Sequence, residues 1–563
     1  MDWIWMKPSG CSTICTATCA HELVGLLLSL SVHHPGAKVF VMCDTATKDT
    51  IRDKLTPYPR LQLVWIVALD PYSGMNRDQM TQLGVWSDFQ MSKARVILAA
   101  LQSEPDTLFL DSDIIVTDVI EDIDGSKMLG VSPQYIAQEH VDRTGFYNGG
   151  MLWTRLAAVA EDWIEFTKTS RYFDQASIED LAKKYDHFEF GENYNLQSWR
   201  LYYSDDKNLA SRLSAGVSDA AGGAAAAGGG GRVWLKGKPI KFIHTHFCDP
   251  VYKEVEGFNR LLIQHFCQVR DYKTLAIIYR VIHGKWVLRV PKQPLPGKAH
   301  HTNDSWREMP LLLKRANPDV DVRFDPATIH CWIEPNLLTY DRDTLDWCNE
   351  ELGGASLLLL GNGDMEVEGK RLQGQVPQLT IQPWIYWPRR PMLVEKLLKT
   401  QGILDFASRT TESIFIGNFE NRVQEHFRQG GWGSAVQEFH CTRGSVHKFT
   451  HEEYLMRLRG AKFGLCLRGF GSKCHREVEL MAFGTVPIVT PEVCVSSFME
   501  PLVENTHFLR AASPGEVREK IEATSEETWL RMSSACNEWY RRNVHSDQAW
   551  STMMSRILYG GVC

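Results

Sequence analysis

Excess positive charge is the first thing missing from this chain. Its 563 residues carry 61 Lys and Arg against 68 Asp and Glu, a formal net charge of -7. A protein whose main partner is a phosphate backbone needs a basic field, so nucleic acid is excluded as the principal ligand. Also missing is any run near the ~18 apolar residues that span a bilayer. The opening stretch MDWIWMKPSG has neither the charged start nor the apolar core of a secretory signal. The expectation is a cytoplasmic protein. Its 14 cysteines are scattered through apparent strands and helices, which predicts reduced thiols rather than a disulfide framework. The densest group, Cys11, Cys15 and Cys19 in CSTICTATC, reads as a strand and its turn rather than a zinc site.

What is present is core-forming material: 44% hydrophobic residues and 23% charged residues, the balance of a globular protein. At about 150 residues per domain the length predicts three or four globular units. In the first third, CSTICTATC, AKVFVMCD and LQLVWIV read as strands and ELVGLLLSLSVHH and MSKARVILAALQ as helices. Such alternation predicts mostly parallel strands with crossover helices. The Ala/Gly stretch from 214 to 231 reads as a flexible loop inside this domain, because KPIKFIHTHF resumes a buried strand after it. A domain boundary is expected at the Pro-, Lys- and His-rich residues 289 to 304. Beyond it α/β alternation restarts, with 305 to 405 as one lobe and 406 to 563 as another.

TLFLDSDIIV, residues 107 to 116, sets Asp111 and Asp113 two apart in an otherwise apolar run. A buried unpaired carboxylate is costly. In an extended chain the two side chains point to one side, a geometry that suits Mg²⁺ or Mn²⁺ bridging to a diphosphate. An exposed Asp-Ser-Asp turn is the plain alternative for the tripeptide alone. Downstream stand FYNGGMLW, YFDQASIEDL, FGENYNLQSW and KFIHTHF. In this order the segments resemble the retaining GT-A glycosyltransferases of the glycogenin and lipopolysaccharide galactosyltransferase type, over residues 10 to 250. The resemblance implies that Asp111 and Asp113 hold a metal completed by His244 or His246, with His244 favoured. It further implies that Lys93, Ser112, Asn148, Gly149, Gly150 and Asn193 or Asn195 bind the sugar-nucleotide donor. Asp174 and Gln175 then lie at the reacting carbon. The family's Lys-Pro-Trp segment after the histidine is lacking, and only Lys253 stands nearby.

In the C-terminal half AKFGLCLRGFGSKCHREVELMAFGTVPIV reads as strand, Gly-rich turn, helix and strand. Glycine amides, a helix start and basic side chains make an anion site. The string, with SIFIGNFENRVQEHFR, resembles the donor lobe of exostosin-like GT-B glycosyltransferases, which work without metal. That resemblance implies Arg476 on a diphosphate and Glu479 on a sugar or ribose, with Glu477, Arg468 and Lys473 as further donor contacts. Trp384, Tyr386 and Trp387 offer ring faces for sugars or for core packing; Glu334, Asp341 and Asp364 are candidate bases.

The expected fold is therefore α/β, a GT-A domain followed by a double Rossmann-like GT-B domain. The expected function is a bifunctional transferase using Mn²⁺ or Mg²⁺ and nucleotide-diphosphate sugars on a glycan or glycoprotein acceptor. Similar fusions are familiar from large algal viruses, which implies a virus-encoded enzyme in the host cytoplasm. The alternatives are a GT-A transferase with a C-terminal carbohydrate-binding module, and a sugar nucleotidyltransferase. The latter usually has a Gly-rich basic loop after its first strand, which TATCAHELVG lacks.

Overall fold

The computed structural model describes all residues except 1–4, 56–59, 207, 217–230, 245–246, 248–252, 290–302, 324–330, 335–356, 361–364, 376–379, 445, 470 and 561–563. His246, Asp341 and Asp364 lie outside the described residues, as do most of the Ala/Gly stretch and of the expected linker. The chain divides into two compact units, Met1–Lys285 and Trp286–Cys563.

The first unit runs β1 (Gly10–Cys15), α1 (Ala20–His33), β2 (Lys38–Cys43), β3 (Gln62–Val67), α2 (Ser92–Leu101), β4 (Thr107–Leu110), β5 (Ile114–Val116), β6 (Leu129–Pro133), α3 (Gln138–Thr144), β7 (Tyr147–Thr154), α4 (Phe173–Ala176), β8 (His187–Glu189), β9 (Leu196–Gln197), α5 (Trp199–Tyr203) and β10 (Phe242–His244). Its main sheet has the order β8-β6-β7-β4-β1-β2-β3. From β4 to β3 the strands are parallel, as apolar strands alternating with helices require. The strand β7 runs antiparallel to both β4 and β6 and is the reversed strand of a sheet that is otherwise parallel, as expected. That reversal sets the start of β7 beside the end of β4, where Asp111 N–H donates to Gly150 O at 2.8 Å. A second sheet, β9-β10-β5, begins directly after the aspartates. Leu23, Leu26, Leu27 and Leu30 of α1 are fully buried, each contributing about 1.5–3 kcal/mol.

The second unit contains β11 (Trp286–Arg289), β12 (Val320–Arg323), β13 (Cys331–Glu334), β14 (Leu357–Leu360), β15 (Thr380–Pro383), β16 (Thr411–Phe419), α6 (Arg422–Arg428), β17 (Glu438–Arg443), β18 (Ala461–Cys466), α7 (His475–Ala482), β19 (Val486–Val489) and β20 (Leu509–Arg510). Two all-parallel five-stranded sheets result, β12-β11-β13-β14-β15 and β17-β16-β18-β19-β20. Both follow the doubly wound order 2-1-3-4-5, whose ligand crevice lies outside the strand ends between the first and third strands. One boundary differs from the sequence reading. Residues 286 to 288 were placed in the first domain, yet WVLR pairs with Val320–Arg323 and Trp332 as an inner strand of the second unit. Four residues ahead of a polar, Pro-rich stretch carry no periodicity long enough to show which side owns them.

Candidate active site

Asp111 and Asp113 do not share an extended strand. The strand β4 ends at Leu110, and Asp111, Ser112 and Asp113 form a turn before β5 opens a different sheet. Their carboxylates converge because the chain bends, not because residues alternate. In the second sheet His244 of β10 lies opposite Ile114 of β5. Register therefore delivers the imidazole to the turn, with His244 Nε2 3.1 Å from Asp113 Oδ1. One ligand atom from each of Asp111, Asp113 and His244 falls within 4.8 Å of the others.

The donor set fits a metal ion. His244 Nδ1 lies 2.7 Å from Asn195 Oδ1. The Asn195 amide is oriented by its Nδ2, which donates to Asn148 Oδ1 at 3.0 Å and Ser132 Oγ at 3.1 Å. Nδ1–H must then be the donor, which turns the Nε2 lone pair toward the carboxylates, the usual second contact of a metal-ligating histidine. Two carboxylates and one imidazole suit Mn²⁺, with Mg²⁺ as the harder alternative.

Charge points the same way. Lys93, projected from α2, sits 3.1 Å from Asp111 Oδ1 and 3.1 Å from Asp174 Oδ2, and donates to Gly149 O at 3.2 Å. Burial opposes the charge on Lys93, but Asp111 and Asp174 outweigh it and hold the ammonium above the ordinary lysine range. Burial raises the Asp111 carboxyl; Lys93 pulls it down and Asp113 adds to the rise, leaving it above the usual carboxylate range. With Asp113 beside the Lys93–Asp111–Asp174 group, three carboxylates and one ammonium leave the floor two charges negative before the imidazole is counted, a deficit that a divalent cation would fill.

Polar contacts continue from Asp111, Asp113 and His244. Asn148 Oδ1 accepts from Gly150 N–H at 2.9 Å, and its Nδ2 donates to Gln175 Oε1 at 3.3 Å. Gln175 Nε2 donates to Thr144 O at 2.9 Å. The paired glycines are required by space: a Cβ on Gly149 would stand 2.4 Å from Asp174 Oδ2, and one on Gly150 would stand 2.4 Å from His244 Cε1 and 2.7 Å from Asp111 Oδ2. Lys93, Asp111, Ser112, Asp113, Asn148, Gly149, Gly150, Asp174, Gln175 and His244 all line one cleft of about 640 Å³. Asn193 does not: its Nδ2 donates to Pro239 O at 2.9 Å. Asn195, at φ +50°, takes the place beside His244. Both asparagines stand in NYN, and the backbone reversal that separates them leaves no mark in residue type. Trp86, Gln134, His140, Arg143, Trp199 and Tyr203 also line the cleft. Trp199 ends FGENYNLQSW, but no role was read for it, and no motif marked the others, since they lie on short helices and connections far apart in the chain. Cys11 and Cys15 are buried in or at the end of β1, and burial pushes the Cys11 thiol up to about 12, the behaviour of core thiols.

In the second unit the expected donor contacts divide. Glu479 accepts from Arg389 N–H at 2.8 Å and from Tyr454 Oη–H at 2.7 Å. Glu477 caps α7, its Oε2 accepting Cys474 N–H at 2.6 Å. Lys473 donates to Ser497 O at 2.9 Å and lies between the rings of Tyr386 and Phe498. These three are committed to internal contacts. Trp384, Tyr386 and Trp387 are all buried, so they pack the unit rather than offer open ring faces. Arg468 and Arg476 remain; the Arg468 guanidinium lies 5.2 Å from the Phe427 ring centroid, while Arg476 is joined by Arg428, the last residue of SIFIGNFENRVQEHFR, to which the sequence reading gave no role. Arg476 and Arg428 are both buried, and both guanidinium groups lie against Phe415, 4.4 Å and 6.0 Å from the ring centroid. Arg428 donates to Asn418 O and, at 3.2 Å, to Arg468 O; Arg476 Nε donates to Ile416 O at 3.1 Å, while its Nη1 has no hydrogen-bond partner. Burial and the Arg476 charge lower Arg428. These contacts lie at the ends of β16 and β18, the first and third strands of the sheet.

Glu477 carries a pH prediction. Full burial raises its carboxyl to about 7, against the pull of Arg476 and the Cys474 amide. A free glutamate titrates near ~4.3. Between these values the unfolded chain has released its proton and the folded one has not, so this group lowers stability as pH rises from ~4.3 to about 7. Glu477→Gln keeps the acceptor and removes the slope. The variant should gain melting temperature over the native protein between pH 5 and pH 8, measured by calorimetry; parallel profiles would contradict this assignment.

Among the described residues no helix is long and apolar enough to cross a membrane. No family model matches the chain, and no curated protein matches it. Among solved structures it is similar to the galactosyltransferase LgtC in complex with donor and acceptor sugar analogues, at 14% identity over 45% of this chain and 94% of that one, TM-score 0.29. An active-site mutant of LgtC gives 14% identity, 45% and 95% coverage and a TM-score of 0.28. The glycosyltransferase GlyE of Streptococcus pneumoniae gives 11% identity over 92% of this chain and 98% of that one, TM-score 0.29. At such identities and TM-scores the functional argument rests on the residues of the site.

Proposed function

We propose that the first unit is a metal-dependent glycosyltransferase that takes a sugar from a nucleotide diphosphate and passes it to an acceptor hydroxyl. The observation that carries this reading is the convergence of Asp111, Asp113 and His244 within 4.8 Å, in the same cleft as Lys93, Asn148 and Gln175. Asp111, Asp113 and His244 would hold Mn²⁺ or Mg²⁺, whose charge offsets the negative charge that grows on the departing diphosphate. Lys93 ties Asp111 to Asp174 and fixes both before substrate arrives, so little reorganisation is needed as the bond breaks. Asn148 and Gln175 orient the sugar hydroxyls, and the missing Cβ at Gly149 and Gly150 admits the ligand to the backbone. Asp174 and Gln175 lie at the reacting carbon. The motif order favours retention of configuration.

A second activity is supported by Arg428 and Arg476. Two buried guanidinium groups with no carboxylate at ion-pair distance among the described residues, and with Glu477 the carboxylate that acts on them electrostatically, suit a diphosphate at the switch point of a doubly wound sheet. The bifunctional reading follows, with an exostosin-like, metal-free second transfer. Linked sites raise the effective concentration of the first product at the second. Buried Trp384, Tyr386 and Trp387 weigh against a carbohydrate-binding module built on those rings.

The test is a panel of nucleotide-diphosphate sugars incubated with the full chain and Mn²⁺, with and without chelator, following donor consumption. Two donors should be consumed, one of them chelator-sensitive. Arg476→Ala should abolish only the chelator-resistant reaction. If no donor is consumed, the reading fails; one chelator-sensitive donor alone would remove the second activity.

A further inference from the structure

The cleft has a wall that the sugar-donor assignments leave unused. His140 of α3 and Trp199 and Tyr203 of α5 line it. The His140 and Tyr203 ring centroids are 4.3 Å apart, and Trp199 lies 6.1 Å from Tyr203 with planes 21° apart. These rings are not core: Tyr203 is 37% exposed, and His140 and Trp199 are half-buried. The two short helices are fastened together, since Ala137 N–H donates to Tyr203 O. The wall adjoins the reacting end of the site, because Thr144 at the end of α3 accepts from Gln175 through its carbonyl.

We infer that His140, Trp199 and Tyr203 form the subsite for the acceptor, and that the acceptor presents a pyranose ring rather than a peptide or lipid hydroxyl. Aromatic faces attract the C–H patches of a sugar, while its hydroxyls need polar partners around the rim. The cleft supplies both. Gln134, Gln197 and Arg143 line it beside the rings, and Arg143 is exposed, with no ion pair or hydrogen bond among the described residues. An apolar chain would leave Arg143 and Gln197 Nε2, which has no hydrogen-bond partner among the described residues, unsatisfied. The inference rests on the sugar-transfer reading of the same cleft and deepens it by naming the acceptor class.

Saturation-transfer-difference NMR on the full chain tests it with four probes: methyl β-galactoside, methyl β-glucoside, lactose and cellobiose. At least one should show saturated ring C–H protons with the native protein. Tyr203→Ala and Trp199→Ala should each reduce that signal at least about fivefold, as expected when a ring anchor is lost. Tyr203→Phe, which keeps the face, should retain it, which separates loss of stacking from loss of fold. Asp113→Asn should retain it too, because the acceptor wall does not need the metal. Failure of the transferase reading appears separately, as no donor consumed while the sugar signal stands. No signal from any probe with the native protein, or signals in both alanine variants within about twofold of native, would overturn the inference.

Discussion

Asp113→Ala should lower kcat/KM for the chelator-sensitive transfer by about 10³-fold, roughly 4 kcal/mol of transition-state stabilisation. The argument is one of charge and place. Asp113 is in contact with His244 and shares a 4.8 Å cluster with Asp111 and His244, so its loss would remove a proposed metal ligand and the partner facing the imidazole. Excess Mn²⁺ should not restore the rate, because geometry as well as affinity is lost. Fold stability should change little or rise, since a carboxylate is removed from a floor that already carries excess negative charge. Asn195→Ala gives the graded contrast. It leaves all three proposed ligands and removes the group that orients His244, together with its hydrogen bond to Asn148 Oδ1, so metal affinity should fall about 10- to 100-fold and added Mn²⁺ should recover part of the rate. Metal titrations of initial rate, beside calorimetric melts, read both variants. A chelator-insensitive native enzyme, or an Asp113→Ala variant with native rates, would end the metal assignment.

Lys93→Met should be the costlier change for the fold. The ammonium is buried and serves Asp111, Asp174 and the Gly149 carbonyl at once. Removing one partner of a buried ion pair typically costs about 3–5 kcal/mol, because the remaining charge keeps its desolvation penalty and loses its compensation. Here two carboxylates are stranded. The contribution is fully present at neutral pH: Lys93 is held above the ordinary lysine range, so its share of stability is lost only as pH rises beyond that range. Melting of the first unit should therefore drop by several degrees and stay low from pH 6 to 9. Mn²⁺ should recover part of the loss in Lys93→Met and less in native protein, because the variant floor carries one more uncompensated negative charge. An unchanged melting temperature would show that the aspartates are hydrated rather than desolvated.

The sequence carried much of this site because its pieces are local. Asp111 and Asp113 flank one serine, Gly149 and Gly150 follow Asn148, and Asp174 precedes Gln175, so each pair travels as a unit whatever the fold does with it. The strand and helix pattern of the first third was legible for a similar reason, since apolar periods of two and 3.6 persist over whole elements. The antiparallel course of β7 was not, because a buried strand reads the same in either direction. Nor was the turn at Asp111–Asp113 distinguishable from an extended strand, as both place the two carboxylates together.

By itself the sequence determined an α/β protein without a basic field or a membrane-length apolar run, and named most of the acidic and amide groups that meet in the cleft. Tertiary structure alone decided which asparagine of NYN reaches His244, that Glu477, Glu479 and Lys473 serve the interior of the second unit, that Arg428 joins Arg476, and that three rings from two short helices face the cleft. The reason is physical. Residue type and spacing specify what a side chain is able to do, but direction, register and burial arise from pairing between segments more than 40 residues apart, as between Ile114 and His244, and no local pattern encodes that pairing.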